Sequence, residues 1–150
     1  MGISIPDTRV DSPVFLKPAG AALEPEVLFG RRAPLLAELG CGNGHFLTAL
    51  AAARPECDFL GVDIRARRIE KSCSKADRAG LGNIRFVLDD AYGFLEHSLP
   101  PGGLVTAFVN FPDPWPKYRH RKFRLNTERF LRLLTRALAP GGTLWWVCDH

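Results

Sequence analysis

Three carboxylates and a glycine-rich turn fall at intervals that suit a small cationic ligand. Glu38-Leu39-Gly40-Cys41-Gly42-Asn43-Gly44 spaces its glycines as GxGxG. Gly40, Gly42 and Gly44 allow a tight turn and a close approach of ligand to backbone. Dinucleotide sites use GxGxxG and phosphate loops end in GK[ST], and neither pattern occurs here. Glu38 stands two residues before the first glycine. A carboxylate there repels a pyrophosphate and attracts an ammonium or sulfonium centre. S-adenosylmethionine carries both cations and no phosphate. Asp63, 19 residues after Gly44, suits the paired hydroxyls of a ribose. Asp90 suits the exocyclic amine of adenine. Each acid alone also reads as a helix N-cap. Three of them at successive element ends favour a ligand.

The second cluster is Asn110-Phe111-Pro112-Asp113-Pro114-Trp115-Pro116-Lys117-Tyr118-Arg119-His120-Arg121-Lys122. Three prolines in five residues stiffen the loop and leave it little entropy to lose. Asp113 is the sole acid between Glu96 and Glu128. Trp115 offers a face for a stacked base. Lys117, Arg119, His120, Arg121 and Lys122 suit the phosphates of a nucleic-acid backbone. The plainer alternative is a Pro-aromatic turn followed by a solvated helix start. His45, His97, His120 and His150 share no ligand spacing, so no metal site is expected.

These residues need a scaffold that gathers them. Short apolar runs at Leu35–Leu39, Asp58–Val62, Ile84–Leu88, Leu104–Asn110 and Thr143–Cys148 read as strands. Helical patterns lie between them at Gly44–Ala53, Ala66–Ala79, Ala91–Glu96 and Thr127–Ala139. Strand and helix in alternation predict an α/β fold with a parallel sheet covered on both faces. Right-handed crossovers then put the strand C-termini on one edge, where the acids and the Asp113 loop fall. Residues 1–30, with Pro6, Pro13, Pro18 and Pro25, read as an N-terminal arm with one helical turn near Glu24–Phe29. Residues 31–150 read as the domain.

The chain has 150 residues and a formal charge of +4. No apolar run approaches the ~18 residues of a membrane span. The opening Met1–Pro6 shows neither a signal peptide nor a myristoylation signal. Cys41, Cys57, Cys73 and Cys148 lack CxxC spacing, which fits reduced thiols and a cytoplasmic location. Residues 65–78 and 117–136 hold 14 of the 20 basic residues. That footprint suits a polyanion, although a solvated helix face reads the same way.

The run Glu38–Asp149 resembles the bacterial tRNA guanine-N7 methyltransferases. Their fingerprint is an FPDPW loop followed by K-x-R-H-x-K-R-R. Here it appears as Phe111-Pro112-Asp113-Pro114-Trp115, then Lys117, Arg119, His120 and Lys122. Glu24–Gly30 also resembles that family's entry segment. The resemblance implies a Rossmann-like class I fold dependent on S-adenosylmethionine. It implies cofactor contacts at Glu38, Asp63, Asp90 and Asp113, and tRNA contacts at Lys117 and Asp149. It implies methyl transfer to N7 of guanosine 46 in the tRNA variable loop. Asp113 is the expected catalytic residue, by accepting hydrogen bonds from the guanine. Phe123 stands where the family has Arg. Five strands are expected against seven in such sheets, which leaves the closing C-terminal hairpin unaccounted for in this reading. Leu144, Trp145, Trp146 and Val147 then lie at an edge that a second chain or second copy would cover. The competing readings are a methyltransferase of other RNA specificity and a truncated, non-catalytic RNA-binding relative.

Overall fold

The computed structural model describes residues 10–16 and 22–149. The Met1–Pro6 reading and His150 lie outside the described residues. Among the described residues, six strands form one wholly parallel sheet. They are β1 (Phe15–Leu16), β2 (Leu35–Leu39), β3 (Asp58–Asp63), β4 (Ile84–Leu88), β5 (Leu104–Asn110) and β6 (Leu138–Val147). Their order is β1-β4-β3-β2-β5-β6. The helices are α1 (Pro25–Phe29), α2 (His45–Ala53), α3 (Ala66–Arg78), α4 (Ala91–Gly93) and α5 (Glu128–Ala137). A π-helical turn, Phe94–Ser98, continues α4, and a 3₁₀ turn covers Tyr118–Phe123.

The order reverses at β2, which sits between β3 and β5. In an open parallel sheet the crevice beyond that reversal is the ligand-binding position. β2 is buried along its whole length. Its alternating side chains feed two cores. Leu35, Ala37 and Leu39 face a cluster with Phe94, Leu95, Phe130 and Leu134. Leu36 faces a cluster with Leu47, Ile69, Cys73 and Phe86. The sheet is thus the middle of three layers, with α2 and α3 on one side and α4 and α5 on the other.

Two expectations need correction. The sheet has six strands rather than five, because Phe15 and Leu16 pair with Phe86 and Val87 at the β4 edge. A two-residue strand beside prolines carries too little pattern to be read from sequence. The last strand also begins at Leu138 rather than Thr143. Leu104 pairs with Leu138 and Thr106 with Thr143, so residues 139–142 bulge from the ladder. Gly141 takes φ +77 within that bulge. Pro140 and Gly141-Gly142 therefore stop the helix without delaying the strand.

β6 is the outer strand among the described residues. Leu144 and Trp146 turn inward against the first core, where the rings of Trp146 and Phe130 lie 6.1 Å apart. Trp145 and Val147 are exposed on the opposite face.

Candidate active site

The GxGxG turn is built to close onto β3. Gly40 and Cys41 both donate their amides to the Val62 carbonyl, at 2.8 and 2.9 Å. Gly42 donates to Asp63 Oδ2 at 3.0 Å, and Gly44 to the Cys41 carbonyl at 3.1 Å. Four loop amides are therefore spent within the protein, and they form no cradle for a phosphate. Gly44 has φ +80, and a Cβ there would meet Ser72 Oγ at 2.7 Å. Ser72 in turn donates to the Gly42 carbonyl, and Lys75 Nζ to that of Asn43. Helix α3 thus packs directly on the turn.

Glu38 is the penultimate residue of β2 and is 3% exposed. Its Oε2 accepts from Asn110 Nδ2 at 2.9 Å, whereas its Oε1 is buried with no partner. Burial pushes its carboxyl up from the usual 4.5 to about 7; the Asn110 bond opposes that rise and Asp63 adds to it. A buried, unpartnered carboxylate oxygen is costly unless a donor or cation arrives.

Asp63 ends β3 and uses both oxygens locally. Oδ2 accepts from Gly42 and Oδ1 from the Arg65 amide at 2.9 Å. Each oxygen keeps a second lone pair for a hydroxyl. Burial raises its pKa, against the backbone bonds that lower it. Beyond β4, Asp90 Oδ1 accepts from Gly93 N and caps α4. Asp89 Oδ1 accepts from the Asp90 amide. Burial first, and Asp90 second, push Asp89 up to about 6.

The loop after β5 carries its strain in two bulky residues. Phe111 and Trp115 have φ +48 and +46. Left-handed backbone at such side chains costs of order 1–2 kcal/mol each, and it gathers at functional loops. The loop is tied at its start by Phe111 N to the Val147 carbonyl at 2.7 Å. Asp113 then lies beside two arginines of the α3 start. Its Oδ2 is 3.5 Å from Arg68 Nη1 and 3.8 Å from Arg65 Nη2. Arg68 Nη1 is also 3.8 Å from Asp63 Oδ2. The Trp115 ring is flanked by Phe123 at 5.0 Å, by His120 at 5.4 Å and by the Arg65 guanidinium at 5.4 Å.

One cleft of about 660 Å³, counting its open mouth, joins these parts. Of the sequence-derived residues, Gly40, Asp63, Asp90, Asp113 and Trp115 line it. Glu38 is buried and does not line the cleft, although the next two residues, Leu39 and Gly40, do. Gly42 and Gly44 shape the turn without lining the cleft. Lys117, Arg119, Arg121 and Lys122 are exposed outside it, with His120 half-buried. Asp149 is exposed just past β6, outside the lining. Arg65, Arg68, Tyr92 and Phe123 were not legible as site residues, yet all four line the cleft, together with Asp89, which the sequence places beside Asp90 just after a strand end. Through Arg65 and Arg68 the first basic segment reaches the loop that opens the second. Among the described residues, no group of three His, Cys, Asp or Glu side chains is placed to hold a metal ion.

The profile of a family described as putative methyltransferase matches residues 32–150. A tRNA (guanine-N(7)-)-methyltransferase of Syntrophotalea carbinolica is 41% identical over 143 residues, covering 94% of this chain and 62% of its own. The protein of the same name from Methylococcus capsulatus is 46% identical over 134 residues, covering 89% of this chain and 58% of its own. The chain thus spans about three-fifths of these relatives' length. Among solved structures, the antibiotic-resistance methyltransferase Kmr superposes with TM-score 0.63 at 25% identity, over 86% of this chain and 68% of its own. Haemonchus contortus phosphoethanolamine N-methyltransferase 2, in complex with S-adenosyl-L-methionine, superposes with TM-score 0.58 at 19% identity. It covers 77% of this chain and 25% of its own, and at that identity the likeness speaks for the fold.

Proposed function

The chain belongs to the putative methyltransferase family, and from that premise we propose that it methylates N7 of guanosine 46 in tRNA, using S-adenosylmethionine. One observation carries the cofactor assignment. Glu38 Oε1 is buried and has no partner, and a cationic amino group would supply the donor it lacks. Asp63 and Asp90 fit the ribose hydroxyls and adenine amine, and Gly40 lets the cofactor approach the backbone. The cofactor supplies a methyl group on a sulfonium cation.

Guanine N7 offers a lone pair and no proton, so the reaction needs no strong general base. The chain's work is to align and to select. Asp113 accepts from the N1–H and exocyclic amine of guanine. That holds the base in register, favours guanine over adenine and offsets the positive charge gained by the purine. For this, Asp113 must exchange its neighbours Arg65 and Arg68 for the base. Trp115 supplies an aromatic wall, while Lys117, Arg119, His120, Arg121, Lys122 and Asp149 contact the tRNA outside the cleft. The target base leaves its stack to enter.

The test is nucleoside mass spectrometry on unmodified tRNA incubated with the chain and S-adenosylmethionine. N7-methylguanosine is expected from the wild type. Asp113→Ala is expected to lose it while S-adenosylmethionine affinity changes less than about threefold. Normal product from Asp113→Ala, or no cofactor binding by the wild type, overturns the reading.

A further inference from the structure

Arg124 follows the exposed basic residues in sequence but turns the other way. Its Nε donates to the Trp115 carbonyl at 2.8 Å and its Nη2 to the Pro116 carbonyl at 3.2 Å. Its own carbonyl accepts from Tyr92 Oη at 2.6 Å, and its amide donates to the Arg121 carbonyl at 3.1 Å. The side chain is half-buried, whereas Arg119, Arg121 and Lys122 are exposed.

The tie continues into the core. Tyr92 Oη lies 2.5 Å from Thr127 Oγ1, which accepts the Phe130 amide at 3.1 Å and caps α5. Only one assignment of protons satisfies every atom. Phe130 N–H donates to Thr127, Thr127 to Tyr92, and Tyr92 to the Arg124 carbonyl. A one-way chain of hydrogen bonds thus runs from the start of α5, past the cleft wall at Tyr92, to Arg124. From there the guanidinium carries it to two successive carbonyls of the Asp113 loop. Trp115 is one of the two left-handed residues of that loop. A backbone held in a disfavoured region persists only where its surroundings over-determine it.

We infer that Arg124 is a positioning residue that fixes the Trp115–Pro116 backbone, and with it Asp113 and the Trp115 ring, rather than an RNA phosphate contact. The guanidinium suits this because it places donors in a rigid planar fork, while an ammonium is a point donor on a flexible stem. Lysine keeps the charge and loses the fork. The inference rests on the methyltransferase reading for its catalytic consequence alone; the structural part stands without it.

The experiment compares Arg124→Lys and Arg124→Ala with Arg119→Ala in the full chain. Amide hydrogen exchange is followed over residues 111–124 and, as a folding control, over 35–39. Both Arg124 variants are expected to exchange at least tenfold faster at Phe111 and His120, whose amides donate to the Val147 and Lys117 carbonyls, with residues 35–39 still protected. Arg119→Ala is expected to leave the loop unchanged. Single-turnover methylation at saturating tRNA is expected to fall at least tenfold in both Arg124 variants. Their slope of log affinity for tRNA against log salt should match the wild type, and Arg119→Ala should lower it by about 0.7–0.9. Wild-type loop protection in Arg124→Lys overturns the inference. So does a reduced salt slope in Arg124→Ala with an unchanged turnover rate. If Arg124→Ala unfolds, Arg124→Lys alone decides. A wild-type chain that makes no product overturns the methyltransferase reading, while the exchange result still decides the role of Arg124.

Discussion

Asn110 Nδ2 donates to Glu38 Oε2 at 2.9 Å, joining the last residue of β5 to the penultimate residue of β2. The two strands are sheet neighbours, with Glu38 opposite Phe108. This bond draws the acid before the glycine turn and the residue before the Asp113 loop into one unit. It satisfies one carboxylate oxygen and leaves the other open.

That half-satisfied carboxyl makes stability depend on pH. Burial raises Glu38 from 4.5 to about 7 in the folded chain. The folded state therefore keeps a proton that the unfolded state releases. The resulting stabilisation is complete below pH about 4.5 and is lost as pH rises through about 7, on the order of 3 kcal/mol in all. Asp89, raised from 3.8 to about 6, acts in the same direction. Urea unfolding of the ligand-free chain at pH 5 to 8 should show this decline. Glu38→Gln should flatten it and stabilise the chain above pH 7. The same variant should bind S-adenosylmethionine at least tenfold more weakly, because a neutral amide cannot pair with its ammonium. An unaltered pH profile in Glu38→Gln would refute the linkage.

Gly44→Ala should destabilise the chain by about 2–4 kcal/mol. The methyl group takes a left-handed φ and also collides with Ser72. Ser72→Ala removes the nearest atom, Oγ, but leaves Cβ at 2.9 Å, so it should rescue only part of the loss. Equilibrium unfolding of the two single variants and the double variant measures this coupling.

Replacing Arg119, Arg121 and Lys122 together by Gln should reduce the slope of log tRNA affinity against log salt by about 2. All three are exposed and none holds the fold, so the thermal midpoint should move by no more than a degree or two. An unchanged slope would remove this turn from the tRNA interface.

Much of the scaffold was legible because its strands are short apolar runs punctuated by Gly and Pro. β2, β4 and β5 begin and end where their residue patterns do. Glu38, Asp63, Asp90 and Asp113 were legible as strand-end acids, because strand ends in a parallel sheet share one edge. β1 was hidden, since pairing at an edge needs only two extended residues and leaves no periodicity. The partners of Asp113 were hidden for a different reason. Arg65 and Arg68 reach it through long flexible side chains, and sequence spacing does not fix where such chains end. Arg124 was illegible because it sits in a run of cations, and nothing in composition marks the one that turns inward. The second role of Asp90, as the cap of α4, was foreseeable from its place before Ala91.

The 3₁₀ turn Tyr118–Phe123 buries none of its six residues. It hangs between a loop pinned by Arg124 and a helix capped by Thr127, and the sheet does not depend on its side chains. Exposed substitutions of that kind cost little stability. This is where a lineage can drift. Outside Phe123, which lines the cleft, and His120, which packs on Trp115, it can alter the sign, spacing and size of its exposed side chains while inheriting the cleft intact. Surface charge on one segment can then vary independently of the cleft walls a few residues away.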